Sequence, residues 1–411
     1  MSQIDHGKIA FERGDLARAR ALFEEAAAAG DALAAHHLGT MLSRGQGGPE
    51  DAPRAVALYR RSAEADVAEA AYNLGAAHAL GHGTRVDLAE ALRWYTIAAE
   101  LGDRDGLHRV GSMLAMGEGT AADLPRAAGY WERAARLGDV ASMMLLGRYH
   151  ETSDPAQAMR WFLEAATAGE APAVVAAQAM IPVLLAAAQT GHVEAQYYLG
   201  TAMTTLGLGP GLDRAEAARW FEAAASAGHA GAQRSLGSLL EAGDGVPKDR
   251  ARAMTLYLAA AESGDAVAQY NVGICSLLGK GLPVDVEKGI VWLQKAAAQG
   301  CAPAFLPLAS ELAGLDRDEE ARRWFAREAE RGNVAIMLNV GRWYRDGVGG
   351  PVDRVQAARW FMTAFVEHKN AAGIHEMHEL AGAMTEDELW AAARLSGGES
   401  VAATFLSLRG E

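Results

Sequence analysis

The sequence predicts an all-α fold, a right-handed α-solenoid of stacked antiparallel helix hairpins repeating about every 36 residues. Three observations predict it. A Leu-Gly or Val-Gly pair recurs at Gly39, Gly75, Gly111 and Gly147, 36 residues apart, and returns at Gly200, Gly237, Gly273 and Gly341. A Gly-x-Gly series follows at Gly45/Gly47, Gly81/Gly83, Gly117/Gly119, Gly207/Gly209, Gly243/Gly245, Gly279/Gly281 and Gly347/Gly349. An aromatic position then recurs at Tyr59, Trp94/Tyr95, Tyr130/Trp131, Trp161/Phe162, Trp220/Phe221, Tyr257, Trp292, Trp324/Phe325 and Trp360/Phe361. Arrays of this kind bury their core between neighbouring units and present extended surfaces, so binding comes before catalysis as a function.

The elements follow in chain order. Residues 1–30 read as an N-terminal capping hairpin with a Gly14-Asp15 turn. Residues 31–169 are a first run of repeats, of which 67–102 is the clearest. There, Ala71, Leu74, Gly75 and His78 follow helical spacing, which predicts a first helix over 68–80. Gly81 and Gly83 stop it, since glycine reaches the left-handed conformation of a tight exit. Asp87 is the expected N-cap of a second helix, with Glu90 completing a capping box. Ala91, Trp94, Tyr95, Ala98 and Ala99 form its apolar stripe. The same cap recurs at Asp51, Asp123, Asp213, Asp249, Asp285 and Asp353. Gly75 and its equivalents should sit where the two helices cross.

Residues 139–169 form a short unit with Thr152-Ser153-Asp154-Pro155 in place of the glycine loop. Residues 170–191 lack every repeat signature and read as a degenerate joint. A second run covers 192–369, including a short unit at 301–332 that turns at Gly314-Leu315-Asp316. Residues 370–411 lose the period and are expected to cap the array, with Thr385 and Glu388 opening a last helix that holds Trp390. Seven of the nine tryptophans fall on the second-helix stripe, so core packing is expected for them. Trp343 and Trp390 leave the pattern and are expected on the surface.

Composition narrows the function. Fifty-two acids against 38 bases give a net charge of −14. That speaks against a general nucleic-acid binder, which neutralises phosphates, and favours basic partners. The start of the chain lacks the pattern of a signal peptide. The longest apolar stretch, 171–188, is interrupted by Pro172, Gln178 and Pro182, so no membrane span is expected. Two cysteines, Cys275 and Cys301, make no disulfide framework and point to a reducing, cytoplasmic setting.

Signatures of chemistry are sparse. The Gly-x-Gly loops follow helices and recur seven times, which is not the context of a dinucleotide fingerprint. His78 with His82, and His375 with His378, have the spacing of helical metal ligands, but no cysteine or acidic partner completes a set. No nucleophile elbow or phosphate loop is present. No cofactor, metal or catalytic residue is therefore expected.

The pattern Ala-x-x-x-Leu-Gly, Gly-x-Gly-Val-x-x-Asp, Ala-x-x-Trp-Phe/Tyr-x-x-Ala-Ala-x-x-Gly resembles the Sel1-like repeat proteins, a branch of the tetratricopeptide-like α-solenoids. The match is best in 67–102, 229–264, 265–300 and 333–369, and nine units fit between 31 and 369. The resemblance implies adaptor or scaffold work in protein complexes, common in bacteria. A cysteine-rich subset of the family looks penicillin-binding or weakly hydrolytic. This chain lacks those cysteines, so that activity is not carried over.

In related solenoids the first helix of each unit lines a concave groove. Three residues before the helix glycine lie His36, Tyr72, His108, Met144, Tyr197, Arg234, Tyr270 and Leu338; directly after it lie Thr40, Ala76, Ser112, Arg148, Thr201, Ser238, Ile274 and Arg342. The candidate partner-binding residues are His36, Tyr72, His108, Met144, Tyr197, Arg234, Tyr270, Arg148 and Arg342. Large polar-tipped side chains there suit a peptide or partner helix, where a purely structural face would need only aliphatics. The same rings could instead pack between neighbouring units. The expected function is a non-catalytic scaffold that binds a segment of another protein. An accessory subunit positioning an enzyme and a penicillin-binding-type hydrolase are the alternatives.

Overall fold

The computed structural model describes residues 2–206 and 214–407. Among the described residues the chain is all-helical and forms two compact units, Met1–Ala187 and Ala188–Glu411. The first unit contains five hairpins: α1 Gln3–Glu12 with α2 Leu16–Ala28, α3 Ala32–Ser43 with α4 Ala52–Ala63, α5 Ala68–Leu80 with α6 Leu88–Glu100, α7 Arg104–Met116 with α8 Leu124–Arg136, and α9 Val140–His150 with α10 Pro155–Thr167. A longer helix, α11 Ala171–Gln189, follows. Each of α1 to α9 packs on the next, which is the stacking of a solenoid.

The second unit continues the pattern with α12 Val193–Thr205 and α13 Arg214–Ser226, α14 Ala230–Ala242 and α15 Arg250–Glu262, α16 Ala266–Leu278 and α17 Val286–Ala298. A 3-10 turn, Ala302–Ala304, leads into α18 Phe305–Gly314 and α19 Asp318–Ala329. After α20 Val334–Asp346 and α21 Arg354–Val366 the rhythm changes. α22 Ala371–Ala381 and α23 Glu386–Ser396 both pack on α21, and α24 Glu399–Ser407 packs on α23.

The helix glycines explain the tight hairpins. A Cβ added at Gly75 would lie 2.8 Å from Cδ1 of Tyr95, and one at Gly237 would lie 2.8 Å from Cε1 of Tyr257. Gly39 meets Tyr59 in the same way, Gly111 meets Trp131, Gly147 meets Phe162, Gly200 meets Phe221, Gly273 meets Leu293 and Gly341 meets Phe361. An aromatic residue of the second helix, or Leu293 in the α16–α17 hairpin, is therefore the lid over the first helix's glycine, and the close approach leaves no room for a side chain.

The loop glycines do two jobs. Gly81 ends α5 in the left-handed region at φ +74°, where a side chain would be strained. Gly83 has φ +76°, and a Cβ there would run into the backbone of Ala52 at the start of α4. The loop thus docks one repeat on the previous one. Gly207, Gly209 and Asp213 lie outside the described residues.

Several expectations need correction. Asp87 does cap α6, accepting from the Ala89 and Glu90 N–H groups at 3.1 and 3.0 Å. Glu90 does not close the box; its carboxylate accepts instead from Trp94 Nε1 at 3.2 Å and from Arg93. The Thr385–Glu388 box does form. Trp390 is buried rather than exposed, only 3% accessible. Trp343 is half-buried, its ring edge-on to Phe325 at 5.3 Å. Among the stripe tryptophans, Trp94, Trp131, Trp161 and Trp360 are buried, but Trp220, Trp292 and Trp324 are half-exposed. In the first two of these units Phe221 and Leu293 take the core position.

The stretch expected to be interrupted is one continuous helix. α11 runs through Gln178 and Pro182 and is long and apolar enough, by length and composition, to cross a membrane, with a mean hydropathy of 1.9. Ala173, Ala177, Met180, Leu184 and Ala188 form its buried stripe, while Val175 and Val183 face outward.

Candidate functional site

The residues three before each helix glycine lie half-buried on the first helices, and three of them are already engaged by the next repeat. His108 Nδ1 lies 3.0 Å from Asp139 Oδ2 and 2.9 Å from Ser142 Oγ. Asp139 is the N-cap of α9 and accepts from the Ser142 N–H at 2.7 Å. Arg234 Nε donates to Asp265 Oδ2 at 3.1 Å, and Asp265 caps α16 by accepting from the Ala268 N–H at 2.7 Å. Tyr197 stacks on His229 at 4.4 Å, and His229 caps α14 through the Ala232 N–H. Each is a staple from one first helix to the N-cap of the next, which satisfies an otherwise orphaned helix start.

These staples correct the premise that a structural face would need only aliphatics. His108 and Arg234 carry polar tips because the joint between repeats uses them, and Tyr197 contributes its ring face. Arg342 is also committed: its guanidinium donates to Glu376 of α22 at 2.7 Å, and Arg345 reaches the same carboxylate at 2.8 Å. That network fastens the C-terminal helices to the last repeat.

The remaining candidates are less occupied. Tyr72 packs against Tyr95 with ring centroids 5.2 Å apart. Its hydroxyl sits beside the Arg109 guanidinium, which raises the Arg109 pKa. Burial, with Tyr72 alongside, pushes the Tyr95 phenol up to about 12. His36 lies between His37 and Tyr59, and burial lowers its pKa. Met144 and Tyr270 rest half-buried on the cores of their units. Arg148 is exposed and forms no ion pair among the described residues. Acidic groups mark the starts of these first helices: burial raises the pKa of Asp103, the N-cap of α7, with Asp105 and Glu69 adding to the rise.

Sequence reasoning missed Arg109 and Tyr95 as members of this face. It also missed the staple, although His108 with Asp139 and Arg234 with Asp265 share one offset of 31 residues, which is a readable signal.

The histidine pairs do not assemble metal sites. His82 faces Glu50 at 3.7 Å, His375 faces Glu379 at 3.8 Å, and His378 packs edge-on to Phe405. Among the described residues, no group of three His, Cys, Asp or Glu side chains is placed to hold a metal ion.

The Sel1 repeat model matches residues 5–31, 32–67, 68–103, 104–139, 140–170, 193–229, 230–265, 266–301 and 336–362, more than half of the chain. The chain belongs to the Sel1 repeat family. The first match means that the N-terminal hairpin, read from sequence as a cap, also carries the repeat pattern. The short unit at 301–332 is not among the matches beyond its first residue.

Solved structures of similar proteins include a protective antigen of uropathogenic Escherichia coli with an SLR fold, 28% identical over 97% of this chain and 91% of that one, with a TM-score of 0.43. A Sel1 repeat protein from Oxalobacter formigenes is 24% identical over 87% of this chain and 89% of its own, with a TM-score of 0.39. An immunity protein from Pseudomonas aeruginosa is 16% identical over 65% of this chain and 81% of its own, with a TM-score of 0.24. No curated protein gives a significant match. Sel1 repeat proteins generally mediate protein–protein interaction, and the fold is typically an interaction scaffold without catalysis.

Proposed function

We propose that this Sel1 repeat protein is a non-catalytic scaffold that holds a peptide or helical segment of a partner protein on its first-helix face. The observation that carries the reading is that this face is both fixed and half-exposed. In the first unit, staples such as His108–Asp139 hold successive first helices in register while Tyr72, Met144 and Arg148 keep contact area free; in the second, Arg234–Asp265 is the staple and Tyr270 is the half-exposed ring. A face fixed before binding loses little conformational entropy when a partner arrives. Tyrosine and arginine supply area and directional hydrogen bonds, the chemistry that dominates hot spots. Glu69, Asp103 and Asp105 at the starts of α5 and α7, with the net charge of −14, favour a basic segment over nucleic acid. The free thiols Cys275 and Cys301 suit a reducing, cytoplasmic setting.

Affinity capture from the native host supplies the partner. The double variant Tyr72→Ala/Tyr270→Ala is then expected to bind it at least tenfold more weakly, about 1.4 kcal/mol, with helicity unchanged. Equal affinity for parent and variant would remove the first-helix face from consideration.

A further inference from the structure

Two consecutive first helices of the second unit start on an imidazole. His192 is the N-cap of α12, and its Nδ1 accepts from the Ala195 N–H at 3.2 Å. His229 is the N-cap of α14, and its Nδ1 accepts from the Ala232 N–H at 3.1 Å. The same position is Asp31, Asp103, Asp139 and Asp265 before α3, α7, α9 and α16. It is Ser2 before α1, and Asn333 and Asn370 before α20 and α22. α5 starts at Val67 and α18 at Ala304 without a side-chain cap. The imidazole caps differ from the oxygen caps in one chemical respect. Carboxylate, hydroxyl and amide oxygens accept throughout the neutral range, whereas an imidazole nitrogen accepts only while it carries no proton.

The hydrogen bonds fix the tautomer. A backbone N–H can only donate, so Nδ1 is bare in both rings and the ring proton sits on Nε2. Protonation adds an N–H at Nδ1 and sets donor against donor at the helix start. The Ala232 N–H keeps its second acceptor, the His229 carbonyl at 3.0 Å, but loses the side chain. A ring flip of His229 that kept the 4.4 Å stack on Tyr197 would still offer no acceptor. Protonation also places a positive charge at the end of the helix where the dipole is already positive.

The surroundings of the two rings differ. His229 is half-buried among Glu194 of α12, Arg234 of its own helix and Asp265 at the start of α16. Burial lowers its pKa; Glu194 and Asp265 pull the other way, and Arg234 acts with burial. His192 is exposed, with Glu194 Oε2 4.0 Å from its Nδ1, and the preceding helix α11 carries no charged residue. Glu194 is thus the acid that both rings share.

We propose that the joint between α12 and α14 is a proton-operated latch, in which neutral His192 and His229 hold two helix starts closed and their protonation releases them. A released ring takes up its proton from about pH 6.5 downward. The open form therefore binds more protons than the capped one, so the latch is closed above that pH and loosens as pH falls below it. The latch stands independently of the partner-binding reading.

The test is hydrogen exchange of the full chain near pH 7.5 and near pH 5.5, about one unit either side of the ordinary histidine pKa. Results are expressed as protection factors, which removes the intrinsic pH dependence of exchange. In the parent, protection at the starts of α12 and α14 should fall about threefold or more on acidification. The start of α20, capped by the Asn333 side chain, should hold and serves as the internal comparison. The double variant His192→Asn/His229→Asn supplies caps of the kind found at Asn333 and Asn370, and its protection at both starts should not change with pH. The double variant His192→Asp/His229→Asp, matching Asp31 and Asp265, should behave the same way. Ring 15N NMR near pH 7.5, with signals assigned by their loss in the single variants, should place the proton of both rings on Nε2. Four outcomes overturn the proposal: constant protection at the two starts in the parent, an equal loss at the start of α20, the same loss in both double variants, or a proton on Nδ1 of either ring.

Discussion

A valine at Gly75 would set a branched side chain against Tyr95. The added Cβ alone would stand 2.8 Å from Cδ1 and 3.0 Å from Cε1 and Cγ of that ring, where carbon–carbon contact is comfortable only at about 3.5–4.0 Å. The ring cannot swing out of the way. Tyr95 is 4% exposed, and Tyr72 packs on it at 5.2 Å. The α5–α6 hairpin must therefore open by roughly 0.5–1 Å, the gap between the imposed and the comfortable contact. Overpacking of this kind costs about 1–3 kcal/mol. The helix propensity of valine over glycine returns a few tenths of a kcal/mol. The net expectation is a loss of about 2 kcal/mol. For a cooperative unit of roughly 190 residues this lowers the melting temperature by about 4–8 °C. Gly129→Ala in α8 is the matched control, because an added Cβ there meets nothing within 4 Å. It should stabilise by about 0.5–1 kcal/mol through propensity alone. The assay is differential scanning calorimetry of both variants, with hydrogen exchange at α5 and α6 to place the effect, since repeat arrays need not unfold in two states. An unchanged melting temperature for Gly75→Val, or a Gly129→Ala loss as large, would refute the crossing argument.

Asp139→Ala should destabilise by about 2 kcal/mol, since it removes both the cap on the Ser142 N–H and the partner of His108; His108→Ala should cost about half as much, read by urea unfolding of the first unit. Acid should weaken the N-terminal repeats through His37. Burial, with His36 and Lys8 adding repulsion against the opposing pull of Asp31 and Glu69, lowers its pKa to about 4. The unfolded chain binds this proton from an ordinary pKa near 6.5, so between pH 6.5 and 4 the unfolded state holds more protons and stability falls as pH falls. The stability that His37 contributes is full above pH 6.5 and is lost progressively toward pH 4, on the order of 2 kcal/mol in all. Comparing His37→Leu with the parent across that range checks it: the variant's melting curve should be flatter with pH.

What could be read in the sequence was what the period repeats. The helix predicted over 68–80 is α5, and the loop and cap glycines fall where the spacing put them, because each is forced by local backbone geometry or by a contact inside one hairpin. The failures involve choices between partners. Glu90 had the position of a capping-box acid but turned to Trp94, since helical spacing offered both partners and periodicity did not rank them. Pro182 marked a break by rule, yet α11 continues through it with the proline on the exposed side. Trp390 left the repeat pattern and is buried all the same, because the last helices fold back on α21. In the candidate face, the residue types were legible and their commitments were not. His108 and Arg234 look free in one repeat and are spoken for by the cap of the next.

Hydrogen–deuterium exchange of the chain with and without its captured partner tests the scaffold reading most directly. The account predicts partner-dependent protection on first helices, above all α5, α7 and α9 around Tyr72, His108 and Met144, with the second helices α6, α8 and α10 unchanged. Protection confined to the second helices, with the first-helix face exchanging as in the free chain, would contradict it.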